Sequence, residues 1–117
     1  MKNLGKHLII DLWGIDFRTL DSETFLRKIL EKAVKKCKAE LLGIQTRKFE
    51  PQGVSGIAVI AESHISLHTW PEFGYIAIDI FTCGEKVDPY KALYVFMDDL
   101  KPKNSSISEI KRGVLVE

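Results

Sequence analysis

The chain has 117 residues with 17 basic and 16 acidic side chains, a net charge of +1, and 45% hydrophobic content. That length makes one domain with enough core to stand without staples, and the charge balance gives no field suited to nucleic acid or an anionic membrane surface. Two cysteines, Cys37 and Cys83, are too few for a disulfide scaffold, and no apolar run reaches the roughly eighteen residues of a membrane span. No signal-peptide pattern stands at the start, so the expectation is a cytoplasmic protein with free thiols.

In chain order, β-branched and apolar residues predict a strand over 4–13 that stops at Gly14. Residues 20–40 predict a helix, with Phe25, Leu26, Ile29, Leu30, Ala33, Val34 and Cys37 as its apolar stripe. Asp21 or Ser22 can cap it, and Lys32, Lys35, Lys36 and Lys38 suit the negative end of its dipole better than a phosphate site. Strands follow over 41–53, 54–63, 64–71 and 75–84, and the short links among the last three make them antiparallel neighbours. A second helix is predicted over 88–102, capped by Asp88, with Pro89 at its first position, and a final strand over 105–117. The order β-α-β-β-β-β-α-β implies an α+β fold: a two-layer sandwich with a largely antiparallel sheet and helices on one face. The other sheet face then meets a partner or water.

The chemically useful residues crowd into the strands. His64 and His68 share a strand face and could hold zinc, but no third ligand has clear spacing. Cys83 with His68 has the composition of a nucleophile and its base. Cys37 lies on the helix stripe and reads as packing, whereas Cys83 ends a strand beside Gly84, where side chains meet solvent or ligand. Ser63, after Glu62 at a tight junction, reads from spacing alone as a turn residue.

The composite pattern says more. "LGKHLIIDLWG", "PQGVSGIAVIAESHISLHTWPE", "YIAIDIFTCGE" and "KRG", in this order and spacing, resemble the small bacterial and archaeal S-adenosylmethionine decarboxylases, pyruvoyl-dependent enzymes of polyamine synthesis. The resemblance covers nearly the whole chain and implies a single domain, 1–117, that cuts itself between Glu62 and Ser63. It makes Ser63 the precursor of a pyruvoyl group whose ketone forms a Schiff base with the substrate amine and takes up electrons during decarboxylation, in place of pyridoxal phosphate and without a metal. It gives Ser55 and His68 to the processing and makes Cys83 the proton donor to the old α-carbon. Phe49 and Trp70 are expected beside the adenine, where an aromatic face also suits the sulfonium, and Glu72 on the ribose. Asp11 receives no role. The product would be decarboxylated S-adenosylmethionine, the aminopropyl donor for spermidine. A homodimer of cleaved protomers, with active sites at its interface, would cover the open sheet face. Two other readings stand beside this one: a pyruvoyl-dependent arginine decarboxylase with the same core, and an inactive dimerisation module.

Overall fold

The structure, a computed structural model, describes residues 2–116. Its elements are β1 (Lys2–Trp13), α1 (Phe17–Leu20), α2 (Glu23–Lys36), β2 (Leu41–Lys48), β3 (Val54–Ile60), β4 (Ser63–Trp70), a 3-10 turn (Pro71–Phe73), β5 (Tyr75–Cys83), α3 (Pro89–Leu100) and β6 (Asn104–Leu115). The six strands form one sheet in the order β2-β3-β4-β5-β1-β6, and every neighbouring pair is antiparallel. The two-layer α+β architecture expected from the sequence is the one observed.

Strand periodicity sets the layers. Alternate residues of a strand point to opposite faces. Leu8, Ile10 and Leu12 of β1, Ile65 and Leu67 of β4, and Ile76, Ile78 and Ile80 of β5 are therefore buried together. Leu26, Ile29, Leu30, Ala33 and Val34 of α2 and Ala92, Leu93 and Phe96 of α3 close over them. The seat of α2 on β3 is close: a Cβ at Gly56 would stand 3.0 Å from Leu30 Cδ1. Cutting fully buried Leu67 back to alanine would cost about 2–5 kcal/mol through lost transfer energy and the cavity left behind. Thr69 and Thr82 are the buried polar side chains among the described residues, and Thr69 joins three elements. Its hydroxyl accepts the Val54 N–H at 2.9 Å and donates to the Leu20 carbonyl at 2.8 Å, so a buried side chain ties α1, β3 and β4 without an unpaired donor.

The boundaries differ from the sequence expectation at several points, among them Ser63, expected to end one strand and found to open the next, β4. The helix expected over 20–40 is broken at Asp21-Ser22: α1 ends there, and Ser22 caps α2 by accepting the Phe25 N–H at 3.2 Å. Phe25, placed on the apolar stripe by spacing, is 37% exposed because the buried stripe runs through Leu26, Ile29 and Leu30. The strand expected over 41–53 stops at Lys48, and the loop beyond it closes through Phe49 N–H to Gly53 O at 2.8 Å. The last strand also ends earlier than expected, at Leu115, and Glu117 lies outside the described residues. The α3 cap is as expected, with Asp88 accepting the Tyr90 N–H at 3.0 Å and Pro89 in the first turn. Among the described residues β6 pairs only with β1, and it is exposed along its whole length.

Candidate active site

The sheet face opposite the helices carries Ser55, His64, His68, Trp70, Asp79 and Cys83, each an odd number of residues from the buried positions of its own strand. Ser63 opens β4. It follows a two-residue turn, Ala61-Glu62, that joins the paired residues Ile60 and Ser63. Glu62 has φ 66°, in the left-handed region that glycine enters freely and other L-residues enter at a cost. The turn is held from outside by Ala61 N–H to Glu40 O at 3.0 Å. Ser63 Oγ accepts the Cys83 N–H at 3.0 Å. The serine and the cysteine therefore meet where β4 begins and β5 ends. Cys83 is a free, partly exposed thiol, and Cys37 a buried one whose Sγ–H donates to Val34 O at 3.3 Å. Burial pushes the Cys37 thiol pKa up, the opposite of what a reactive cysteine needs.

A second group sits at the far end of β4. Ser55 and His68 are cross-strand partners, with Oγ and Nδ1 2.8 Å apart. Phe49, Trp70 and Glu72 line the same cleft of about 270 Å³. Phe49 and Trp70 are 44% and 40% exposed, so neither is a core side chain.

These two groups are well apart in one chain. Ser63 and His68 are five residues apart on a strand rising about 3.3 Å per residue, hence roughly 16 Å. A Cys83–His68 nucleophile and base pair within a single chain is excluded by the same geometry. His64 and His68 do share a face, but four strand residues separate them by roughly 13 Å, too far for one metal ion. Among the described residues there is no group of three His, Cys, Asp or Glu side chains able to hold one.

Some residues of this face escaped the sequence reading. Tyr75 stacks between Trp70 and Trp13, with ring centroids 5.2 and 5.7 Å away, and its hydroxyl donates to Asp11 at 2.5 Å. Burial, with that carboxylate, pushes the Tyr75 pKa up to about 12. His7 and Asp79 pair at 2.9 Å. The available signal was period-two alternation: Tyr75, Asp79 and Cys83 share one face of β5, as His7 and Asp11 share one face of β1.

Known proteins resemble the chain along its whole length. The family model for S-adenosylmethionine decarboxylase matches residues 6–113. The chain is 56% identical over 117 residues, the whole of both chains, to the S-adenosylmethionine decarboxylase proenzyme of Methanococcus aeolicus. It is 45% identical over 114 residues to that of Caldicellulosiruptor saccharolyticus, covering 97% of this chain and 92% of the relative. The crystal structure of the adenosylmethionine decarboxylase from Aquifex aeolicus superposes with a TM-score of 0.93 at 35% identity, covering 100% of this chain and 97% of that one.

Proposed function

The chain belongs to the S-adenosylmethionine decarboxylase family, and from that premise we propose how its residues divide the work. It is a decarboxylase of S-adenosylmethionine; its kinship runs to enzymes of that name along the whole chain, which leaves arginine decarboxylation and an inactive module without support. The finer reading is that it matures by cutting itself between Glu62 and Ser63. The observation that carries this is the Glu62-Ser63 junction: a non-glycine residue at φ 66° in a two-residue turn, followed by a serine whose Oγ is held by the Cys83 N–H.

The Ser63 hydroxyl attacks the Glu62 carbonyl carbon. The bond from that carbon to the Ser63 nitrogen breaks, the nitrogen takes the hydroxyl proton, and an ester replaces the amide. Removal of the Ser63 α-proton then expels the Glu62 carboxylate from Cβ. The resulting enamine takes up water and releases ammonia, leaving a pyruvoyl group at position 63. A pyruvoyl ketone there supplies the electron sink that decarboxylation needs. The residues present suit it: a serine precursor at a strand start, and a thiol at the neighbouring strand end to return a proton to the substrate's α-carbon. No pyridoxal phosphate or metal enters this scheme.

Ser55 and His68 serve the processing as a hydrogen-bonded pair, and Phe49, Trp70 and Glu72 hold the nucleoside by stacking and by a carboxylate on the ribose diol. The roughly 16 Å between His68 and Ser63 argues that each working site is shared between two protomers. A homodimer that stacks the open sheet faces about a twofold axis brings His68 of one protomer toward Ser63 of the other. It also covers Ile9, Ile57 and Val59, which are 37–45% exposed on that face. None of the described helices is long and apolar enough to cross a membrane, and we assign the enzyme to the cytoplasm.

Intact-mass measurement tests the cut. The expected result is two pieces of 62 and 117 − 62 = 55 residues, the second beginning with a ketone. A single uncut 117-residue species after long incubation would overturn the reading, and Ser63→Ala is expected to give that species and no turnover.

A further inference from the structure

The "KRG" segment has no part in the scheme above, although its arginine reaches the reacting end of the sheet. Arg112 lies on β6, and its cross-strand partner on β1 is Gly5. Gly5 is in turn the partner of Cys83 on β5. Cys83, Gly5 and Arg112 thus form one row across three strands, on one face, with no side chain in the middle position. The Arg112 guanidinium crosses this gap and stands 5.6 Å from the centre of the Phe81 ring. Phe81 precedes Cys83 on the same strand face, roughly 6–7 Å away. The gap is needed: a Cβ at Gly5 would lie 3.0 Å from Phe81 Cε1 and 3.3 Å from the Thr82 carbonyl oxygen.

The charge is also uncommitted. Among the described residues the ion pairs are His7–Asp79, Lys32–Asp99 and Lys48–Asp21, and none involves Arg112. His7 and His64 flank Phe81 at 5.6 and 5.8 Å, but His7 already faces Asp79. Asp79, the acidic side chain on this face of β5, is likewise occupied by His7. Arg112 therefore presents a permanent, planar cation with no anion of its own beside the Ser63–Cys83 junction.

We propose that Arg112 recognises the α-carboxylate of the substrate. The inference rests on the reading that the substrate amine reacts at position 63. Amine and carboxylate sit on one carbon, so anchoring the amine at Ser63 brings the carboxylate to the Cys83–Phe81 end, within reach of the guanidinium. A guanidinium matches a carboxylate in shape and charge. The same cation repels the sulfonium and turns the nucleoside end of the substrate away from the junction. The pair does not help the chemical step. As the carbon–carbon bond breaks, the carboxylate charge leaves for the α-carbon and the pair weakens, so Arg112 contributes to substrate binding and orientation rather than to the transition state.

The test compares substrate with its own product, which keeps the amine, sulfonium and nucleoside but lacks the carboxylate. Wild type, Arg112→Met and Arg112→Lys are matured, checked by intact mass, and assayed. For Arg112→Met the KM for S-adenosylmethionine is expected to rise about tenfold to a hundredfold with kcat unchanged or higher. The dissociation constant for decarboxylated S-adenosylmethionine, measured calorimetrically, should stay within about twofold of wild type. Arg112→Lys should fall between. Equal weakening of both ligands would make Arg112 a packing residue over Phe81, and an unchanged KM would remove it from recognition; either overturns the proposal. If Arg112→Met fails to mature, Arg112→Lys and Arg112→Gln carry the same comparison. Maturation and carbon dioxide release by wild type, read in the same samples, report separately on the pyruvoyl reading.

Discussion

Glu62 offers a way to ask whether the turn itself drives maturation. At φ 66° a side chain with a Cβ costs roughly 1–2 kcal/mol that glycine does not incur. In the ester, the path from the Glu62 carbonyl to the Ser63 α-carbon runs through Oγ and Cβ instead of the nitrogen alone. The turn gains one atom and can relax. Replacing Glu62 by alanine removes the carboxylate and keeps the backbone cost, whereas glycine removes both. If that cost is released on the way to the ester, Glu62→Gly should cut about 5- to 30-fold more slowly than Glu62→Ala. The assay follows freshly translated chains by mass, timing the appearance of the two pieces. A second readout uses the uncut Ser63→Ala background, where the glycine variant should melt a few degrees above the alanine variant. Glycine cutting as fast as alanine, or faster, would refute the idea that backbone strain is released in the cut.

Three further outcomes follow from the geometry. Cys83→Ala should still mature, since its backbone N–H to Ser63 Oγ remains, but should lose most turnover or inactivate through transamination of the pyruvoyl group; full activity by carbon dioxide release would remove the thiol from the mechanism. Trp70→Ala and Phe49→Ala should raise the KM for S-adenosylmethionine, by about 1–3 kcal/mol of stacking each, with no gain of arginine decarboxylation in a competition assay. Asp21 accepts the Gly53 N–H at 2.9 Å and pairs with Lys48 at 3.1 Å, and that N–H, then Lys48, holds its carboxyl below the usual 3.8 despite the opposing effect of burial. A depressed folded-state pKa stabilises above the unfolded value and is lost as pH falls through the folded one. Asp21→Asn should therefore melt lower than wild type at neutral pH, and the gap should close below pH 3.8; a gap independent of pH would argue against a charge effect.

The fold was legible because most strands alternate cleanly and the α3 cap carries Asp88-Pro89. The α1–α2 break was not, since Leu20 and the α2 stripe continue one helical pattern, and only the Ser22 hydroxyl on the Phe25 N–H separates them. The loop after Lys48 was hidden for a related reason: its end is set by Asp21, 32 residues away in sequence from Gly53. Within the site, the Ser63–Cys83 and Ser55–His68 contacts join residues the motif had singled out. Their separation along β4 could not be read from the motif, because a motif records identity and spacing but not the span of a strand. Arg112 was likewise invisible as a site residue. Its approach to Phe81 depends on two cross-strand registers meeting at a glycine.

The strand order has a last consequence, for the matured enzyme as a physical object. The proposed cut after Glu62 would leave β1, β2 and β3 on one polypeptide and β4, β5 and β6 on the other, yet the sheet runs β2-β3-β4-β5-β1-β6. The two polypeptides are interleaved, meeting at β3–β4, at β5–β1 and again at β1–β6. Separating them means tearing the sheet along three seams, so the nick is silent while the fold stands. Once the enzyme melts, recovery is no longer the return of one chain to itself. It becomes an encounter between two different molecules, second order and sensitive to dilution. Maturation by this cut would thus trade a self-contained fold for one assembled only once, with its durability governed by the rate of coming apart.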